Sequence, residues 1–384
     1  MKEKATSILR KIFLAFFLVA STIIIFLHSK TSYFPSVDFI CPFGGLETLY
    51  KFISSSTFIS KVTAGNIVLL AITLFLGIFF GRVFCGWICS FGALQGAVRW
   101  IGSKIIKKRI VINPKIDKIL RLIKYPLLVL ILFFTYKTAS LIIRPFDPWA
   151  TYGHIFSGFS EILAEFLGGF IVLIAVIAGS FFIDRFFCKY ACPLGAFLGI
   201  IRVFNINTIT RDKDTCISCK KCNNVCPVNI DVMGSEKVKS AECINCFECI
   251  NTCPTKKETL KLKTFGKKLN PLIIGIISIS LFLAVFLAGT LLPIKGLAIP
   301  IMKETVIIQS NNIDQSIKEL AVPAGFEIKG SMTLNQIAKA LNISVKELKI
   351  LFGLPEDAPE DIPLKEFVEK YGVTVSELKT KLKR

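Results

Sequence analysis

Twelve of the 13 cysteines fall into regular spacings that suit sulfur ligation of iron. Cys216, Cys219, Cys222 and Cys226 follow a C-x2-C-x2-C-x3-C pattern closed by Pro227. Cys243, Cys246, Cys249 and Cys253 repeat it, closed by Pro254. Three thiolates at that spacing wrap one face of a cubane, and the fourth serves the cluster of the other motif. The spacing therefore predicts one [4Fe–4S] cluster on Cys216, Cys219, Cys222 and Cys253, and a second on Cys243, Cys246, Cys249 and Cys226. Structural zinc would leave two Pro-terminated sets unexplained. Thr208–Thr210 and Leu260–Leu262 read as the flanking strands of a small α+β ferredoxin fold at 207–265. No catalytic constellation accompanies the two motifs, which points to electron relay.

The elements that must carry these cysteines are membrane helices. The chain has 384 residues, of which 53% are apolar, and a net charge of +20. That combination excludes a disulfide mini-protein, a disordered chain and a simple cytosolic domain. Five runs approach the length needed to cross a bilayer: Ile12–Ser29, Val62–Gly81, Tyr125–Ile143, Phe166–Ile183 and Leu269–Ile294. Lys and Arg concentrate in 82–124 and 184–268, whereas 30–61 and 144–165 hold few. Positive-inside bias then places the N-terminus and the ferredoxin segment in the cytosol and the tail outside a prokaryotic cell membrane. The charge is thus a topology signal, and no nucleic-acid partner is expected.

A duplication runs at a fixed offset of 103 residues. Arg82, Phe84, Cys85, Cys89, Gly92, Gly96 and Arg99 match Arg185, Phe187, Cys188, Cys192, Gly195, Gly199 and Arg202. The unit is a two-helix hairpin used twice, at 1–105 and 106–206, so a pseudo-two-fold axis along the membrane normal is expected. Cys85/Cys89 and Cys188/Cys192 close the cytosolic ends of the second and fourth spans. At i, i+4 on one helix each pair shares a face, which suits metal ligation and not a disulfide. Four such thiolates are placed to enclose a further iron or iron–sulfur centre, with Arg82 and Arg185 offsetting their charge; the alternative is four reduced, buried thiols. Cys41 stands apart, in a turn formed with Pro42, Gly44 and Gly45, and has a packing role.

Two-helix repeats ending in Cys-x3-Cys and followed by a double-cubane ferredoxin resemble the membrane-bound 4Fe-4S polyferredoxins. Examples are the quinol-oxidising membrane ferredoxin of the periplasmic nitrate reductase system and the iron–sulfur membrane protein of nitrous-oxide reductase biogenesis. The resemblance covers roughly residues 10–265. It implies electron exchange between a membrane quinone or cytosolic donor and a partner redox protein. The first repeat departs from the pattern, with Ser90 where the second has Pro193. The chain also adds a fifth span at 266–295 and a tail at 296–384.

Polar residues near the outer face offer a quinone site: Lys137, Arg144, His28 and His154. The tail repeats at an offset of 30, with capping boxes at Thr333/Gln336, Ser344/Glu347 and Thr374/Glu377 and a helix-opening Pro363. It reads as a small all-α protein-docking module. The expected protein is therefore a five-span helical membrane protein with an inserted double-cubane ferredoxin, relaying electrons to a redox partner. The competing functions are electron supply for assembling another enzyme's metal site, and redox sensing by a membrane-tethered regulator.

Overall fold

The computed structural model describes residues 2–30, 41–55, 64–107, 110, 112–138, 143–255, 259–264, 266–291, 332–341, 345, 348–349 and 359–361. The chain forms two units, 1–303 and 304–384. The first unit begins with α1 (Lys2–Lys30), α2 (Pro42–Ser55), α3 (Ala64–Phe80), α4 (Val83–Trp87) and α5 (Ser90–Ile105). It continues with α6 (Pro114–Leu122), α7 (Lys124–Thr138), α8 (Pro148–Gly153), α9 (Phe159–Glu165), α10 (Leu167–Phe182), α11 (Phe186–Tyr190) and α12 (Pro193–Val203). A mixed segment follows: β1 (Asn207–Arg211), α13 (Lys221–Asn224), β2 (Lys237–Val238), α14 (Glu248–Thr252), β3 (Leu260–Thr264) and β4 (Lys267–Leu269). The last helix of this unit is α15 (Pro271–Leu291). Proline opens α2, α6, α8, α12 and α15, where its missing N–H costs nothing.

The helices are inside out relative to a water-soluble bundle. Ile8, Ile12, Phe16, Val19, Ile23 and Phe26 of α1 are exposed, while Thr6, Arg10 and Ser21 are buried. On α10, Leu167, Ile171, Ile174 and Ile177 are exposed and Ser180 is buried. Such surfaces need an apolar surround. Three helical stretches are long and apolar enough to cross a membrane: Ala5–Lys30, Pro114–Lys137 and Pro271–Ala288. α3 and α10 are equally apolar but have 17 and 16 residues, about 25 Å at the helical rise.

The two repeats, α3–α4–α5 and α10–α11–α12, pack by exchange. α5 lies against α10, and α12 lies against α3. α1 packs on α5 as α7 packs on α12. α1 also reaches the opposite repeat's outer helix, where Thr22 and Tyr152 share a hydroxyl hydrogen bond of 2.8 Å. α7 does the same, with Thr135 donating to Glu47 Oε1 at 3.2 Å. This reciprocity is the packing expected of a two-fold relation.

The mixed segment forms a four-stranded antiparallel sheet of order β2-β1-β3-β4. Both expected strands are present, and Ile209 stands opposite Leu262 and Val238, all buried. β4 pairs Leu269 with Leu262, so the sheet extends past the expected boundary at 265. Leu269 adjoins an apolar run, and only its strand pairing separates it from the helix. Asparagines in this segment and just before it bond the last carbonyls of α3, which run short of donors at the helix end. Asn205 donates to the carbonyls of Gly77 (3.1 Å) and Ile78 (2.6 Å), Asn207 to that of Phe79, and Asn245 to that of Phe80 (2.7 Å). Lys124, fully buried, donates to the Glu242 carboxylate at 2.5 and 2.7 Å, and Arg82 lies 3.7 Å from it.

In the second unit, the helix Leu334–Ala340 opens with the expected Thr333–Gln336 capping box. The capping boxes expected at Ser344 and Thr374, and Pro363, lie outside the described residues.

Glu242→Ala leaves two buried cations without their carboxylate and is expected to cost about 3–5 kcal/mol. Glu236→Gln removes a pair with Lys213 that is more than half exposed, and should leave the unfolding temperature close to that of the wild type. Thermal unfolding of the detergent-solubilised protein compares the two.

Candidate iron–sulfur sites

Each ferredoxin motif folds into a tight loop followed by a one-turn helix. Ser218 and Lys220 in the first motif, and Asn245 and Phe247 in the second, adopt positive φ at matching positions. These left-handed residues curl the chain around its own cysteines. The outcome is two cavities. Cys216, Cys219, Cys222 and Cys253 line one; Cys226, Cys243, Cys246 and Cys249 line the other. Each cavity thus takes three thiols from one motif and the fourth from its partner. Neither is lined by a carboxylate or an imidazole, and soft thiolate donors select iron–sulfur clusters. Among the described residues, no three His, Cys, Asp or Glu side chains stand close enough together to hold a single metal ion. The all-thiol donor sets fit polynuclear iron–sulfur clusters.

The cavities differ in exposure. Cys219 is exposed and Cys216, Cys222 and Cys253 half-buried, whereas all four thiols of the other cavity are buried. The backbone N–H of Ser218, aided by Arg211, holds the Cys216 thiol below its ordinary pKa. Burial pushes Cys246 up to about 12. The buried cavity rests on the membrane helices. The Trp87 indole donates to the Asn245 carbonyl at 3.0 Å, and Arg10 bridges the Gly86 carbonyl (3.1 Å) and Glu248 (3.0 Å). Gly86 approaches so closely that a Cβ there would lie 2.3 Å from the Ile244 carbonyl oxygen.

α4, on which this cavity sits, carries Cys85. The expected single helix through Cys85 and Cys89 is not formed, and neither is its counterpart through Cys188 and Cys192. In both repeats the chain leaves the helix after an i−5 hydrogen bond of 2.9 Å, from Cys89 N to Phe84 O and from Cys192 N to Phe187 O. The second cysteine then becomes the N-cap of the next helix. Cys89 Sγ accepts from Gly92 N (3.4 Å), and Cys192 Sγ accepts from Gly195 N (3.2 Å). A helix start supplies orphan N–H donors, so the cysteine gains a partner by ending one helix and capping another. Ser90 and Pro193 both occupy the first helical position, so the sequence departure there leaves the geometry unchanged; Ser90 donates to Phe17 O at 3.0 Å.

The two halves meet. Every pair among Cys85, Cys89, Cys188 and Cys192 is close enough to interact electrostatically. The arginines are exchanged between repeats: Arg82 lies over Gly195, and Arg185 lies over Gly92 while donating to the Cys85 carbonyl at 3.0 Å. Gln95, which sequence reasoning missed, donates to Cys188 Sγ at 3.2 Å. Its only sequence signal is that it breaks the 103-residue register, facing Leu198.

At the opposite end of α10, Arg144 is 3.4 Å from His154 Nε2, and the rings of His154 and His28 are 6.1 Å apart. Lys137 is not among their described contacts; it is exposed, over Phe133. Cys41 is half-buried, and its carbonyl accepts from Asn66 Nδ2 at 3.1 Å.

Thiol-lined cavities in a ferredoxin fold, seated on helices with an apolar exterior, define an iron–sulfur electron-transfer protein of the membrane. Comparison with known proteins agrees. A family model described as a 4Fe-4S binding domain matches residues 63–109 and 166–208, one match per hairpin, and a 4Fe-4S dicluster domain matches 208–254. An uncharacterized protein of Methanocaldococcus jannaschii is 33% identical over 208 residues, covering 53% of this chain and 78% of its own. NirI of Paracoccus denitrificans is 34% identical over 41% of this chain and 23% of its own length. The ferredoxin-type protein NapH of Haemophilus influenzae is 29% identical over 41% and 51%. No solved structure matches the chain significantly. The chain belongs to the family of membrane-bound ferredoxin-type iron–sulfur proteins that includes NapH and NirI.

Gly92→Ala would place a methyl 1.8 Å from the Arg185 guanidinium, whereas Gly96→Ala meets nothing within 4 Å. The first is expected to destabilise by about 1–3 kcal/mol and to lower iron content. The second should match wild type in both thermal unfolding and iron assay.

Proposed function

We propose that the chain relays single electrons between its exposed ferredoxin face and the membrane through three centres. The ligands are Cys216, Cys219, Cys222 and Cys253 for the outer [4Fe–4S] cluster, and Cys226, Cys243, Cys246 and Cys249 for the inner one. Cys85, Cys89, Cys188 and Cys192 hold a further iron–sulfur centre. The observation that carries this reading is the placement of the buried cavity directly on α4, beside Cys85. The three thiol sets then form a sequence from exposed surface to membrane, and the match of each hairpin to a 4Fe-4S binding domain supports the third. When bound, the clusters supply one-electron chemistry. The chain supplies sulfur ligands, excludes water from the inner set and places Arg82 and Arg185 against accumulating negative charge.

The helices with apolar exteriors, α1, α3, α7, α10 and α15, are read as five spans. The basic segments and the ferredoxin lie in the cytosol, and the tail lies outside as a docking module. Electrons pass between a quinone pool or cytosolic donor and a partner redox protein. His28, Arg144 and His154 are proposed to hold a quinone head group about 24 Å from the thiols, the length of α10. Lys137, exposed over Phe133, is read as an interfacial anchor.

The test is anaerobic purification with iron and sulfide counts. Cys253→Ser is expected to damage the cluster built mainly by the first motif and leave the second. A quadruple Ser variant at Cys85, Cys89, Cys188 and Cys192 should lose one spectroscopic signal while both cubanes remain. Full iron content and unimpaired quinol-driven reduction in that variant would make the four thiols structural.

A further inference from the structure

The pseudo-two-fold relation supplies the two halves of the intramembrane thiol site with equivalent parts. Cys85 matches Cys188, Cys89 matches Cys192, and each helix-capping cysteine accepts one backbone N–H. Arg82 and Arg185 are exchanged in the same sense, each over a glycine of the other repeat. A buried polar group that touches a sulfur breaks the equivalence. Gln95 is 1% exposed, and its amide is fully engaged: Oε1 accepts from Phe187 N at 3.0 Å, and Nε2 reaches Cys188 Sγ at 3.2 Å and Phe91 O at 3.3 Å. Its counterpart, Leu198, is also 1% exposed and offers no donor. An amide is costly to bury, and this one is held by a backbone N–H of the opposite repeat so that its NH2 is directed at one sulfur of four.

We infer that Gln95 is a positioning residue that sets the reduction potential of the centre held by Cys85, Cys89, Cys188 and Cys192. This rests on the reading of those thiols as cluster ligands. Reduction by one electron, delivered from the neighbouring cubane and leaving that cubane oxidised by one, adds one negative charge among the thiolates. An N–H donor to a ligand sulfur stabilises that reduced form more than the oxidised one, and hydrogen bonds to the sulfurs are a recognised determinant of potential. Arg82 and Arg185 each face the thiols by way of a glycine of the other repeat, whereas Gln95 donates to Cys188 Sγ itself. The effect is an uphill or downhill step tuned by a single side chain.

The experiment is a redox titration of the anaerobically purified full chain, followed by electron paramagnetic resonance. The centre is identified as the signal that Cys188→Ser removes. Gln95→Leu, which makes the site symmetric with Leu198, is expected to retain iron and to titrate lower. The shift is about tenfold in the reduction equilibrium, or about 59 mV for one electron. Gln95→Glu keeps an acceptor for Phe187 N and separates anchoring from tuning: it should restore any iron lost in Gln95→Leu yet still titrate below wild type. An iron-loaded Gln95 variant with an unchanged potential overturns the role of Gln95 alone. A wild-type protein with no signal removable by Cys188→Ser overturns the site itself and this role with it.

Discussion

A guanidinium cannot shed its proton to escape burial, so a buried arginine dictates its surroundings. Arg82 is 1% exposed. It donates to the Ala241 carbonyl at 2.7 Å, lies 3.7 Å from the Glu242 carboxylate, and acts electrostatically on Cys85 and Cys192. It leans on Gly195, where no side chain competes for the space. One cation thereby ties the first hairpin to the second, both to the ferredoxin segment, and all three to the thiols. Arg185 makes the reciprocal contact with Gly92 and the Cys85 carbonyl. This exchange joins the repeats at their cysteine ends, together with the packing of α5 on α10.

The thiols of the hairpins are set by helix ends, not by a helix face. A capping cysteine is fixed by the direction of the helix it starts, and α5 and α12 take their direction from the opposite repeat's α10 and α3. Site geometry and bundle packing are therefore one problem. The same economy of donors appears at the end of α3, where Asn205, just before the ferredoxin segment, and Asn207 and Asn245 within it complete the last turn. A rigid joint follows, and it brings the buried cavity onto α4.

Exposure gives the relay its order. The cavity lined by Cys219 opens to solvent, and the one lined by Cys246 is closed by Trp87, Phe247 and the α4 backbone. Burial makes the bare Cys246 and Cys249 thiols hard to ionise, and a bound cluster would hold them as thiolates. The histidine and arginine group occupies the other end of α10, which separates any chemistry there from the thiols by a helix length.

The amino-acid sequence by itself determined the crossed ferredoxin ligand sets, the two flanking strands, the apolar runs and the 103-residue duplication. Each is a local signal: a spacing, an alternation or a register that needs no partner to be legible. Ligand crossing was legible because three thiolates at this spacing cover one face of a cubane and leave the fourth position to the other motif. What only the tertiary structure decided involves partners distant in the chain. The break between Cys85 and Cys89 depends on Gly92 N–H and on α10. The fate of Leu269 depends on Leu262. Gln95 shows the limit most plainly. It sits ten residues from Cys188 once the register is subtracted, but on the other hairpin, and only packing across the pseudo-two-fold brings its amide to that sulfur. Long-range contacts between buried polar groups carry little sequence signal, because any residue with the right donor at the right depth satisfies them.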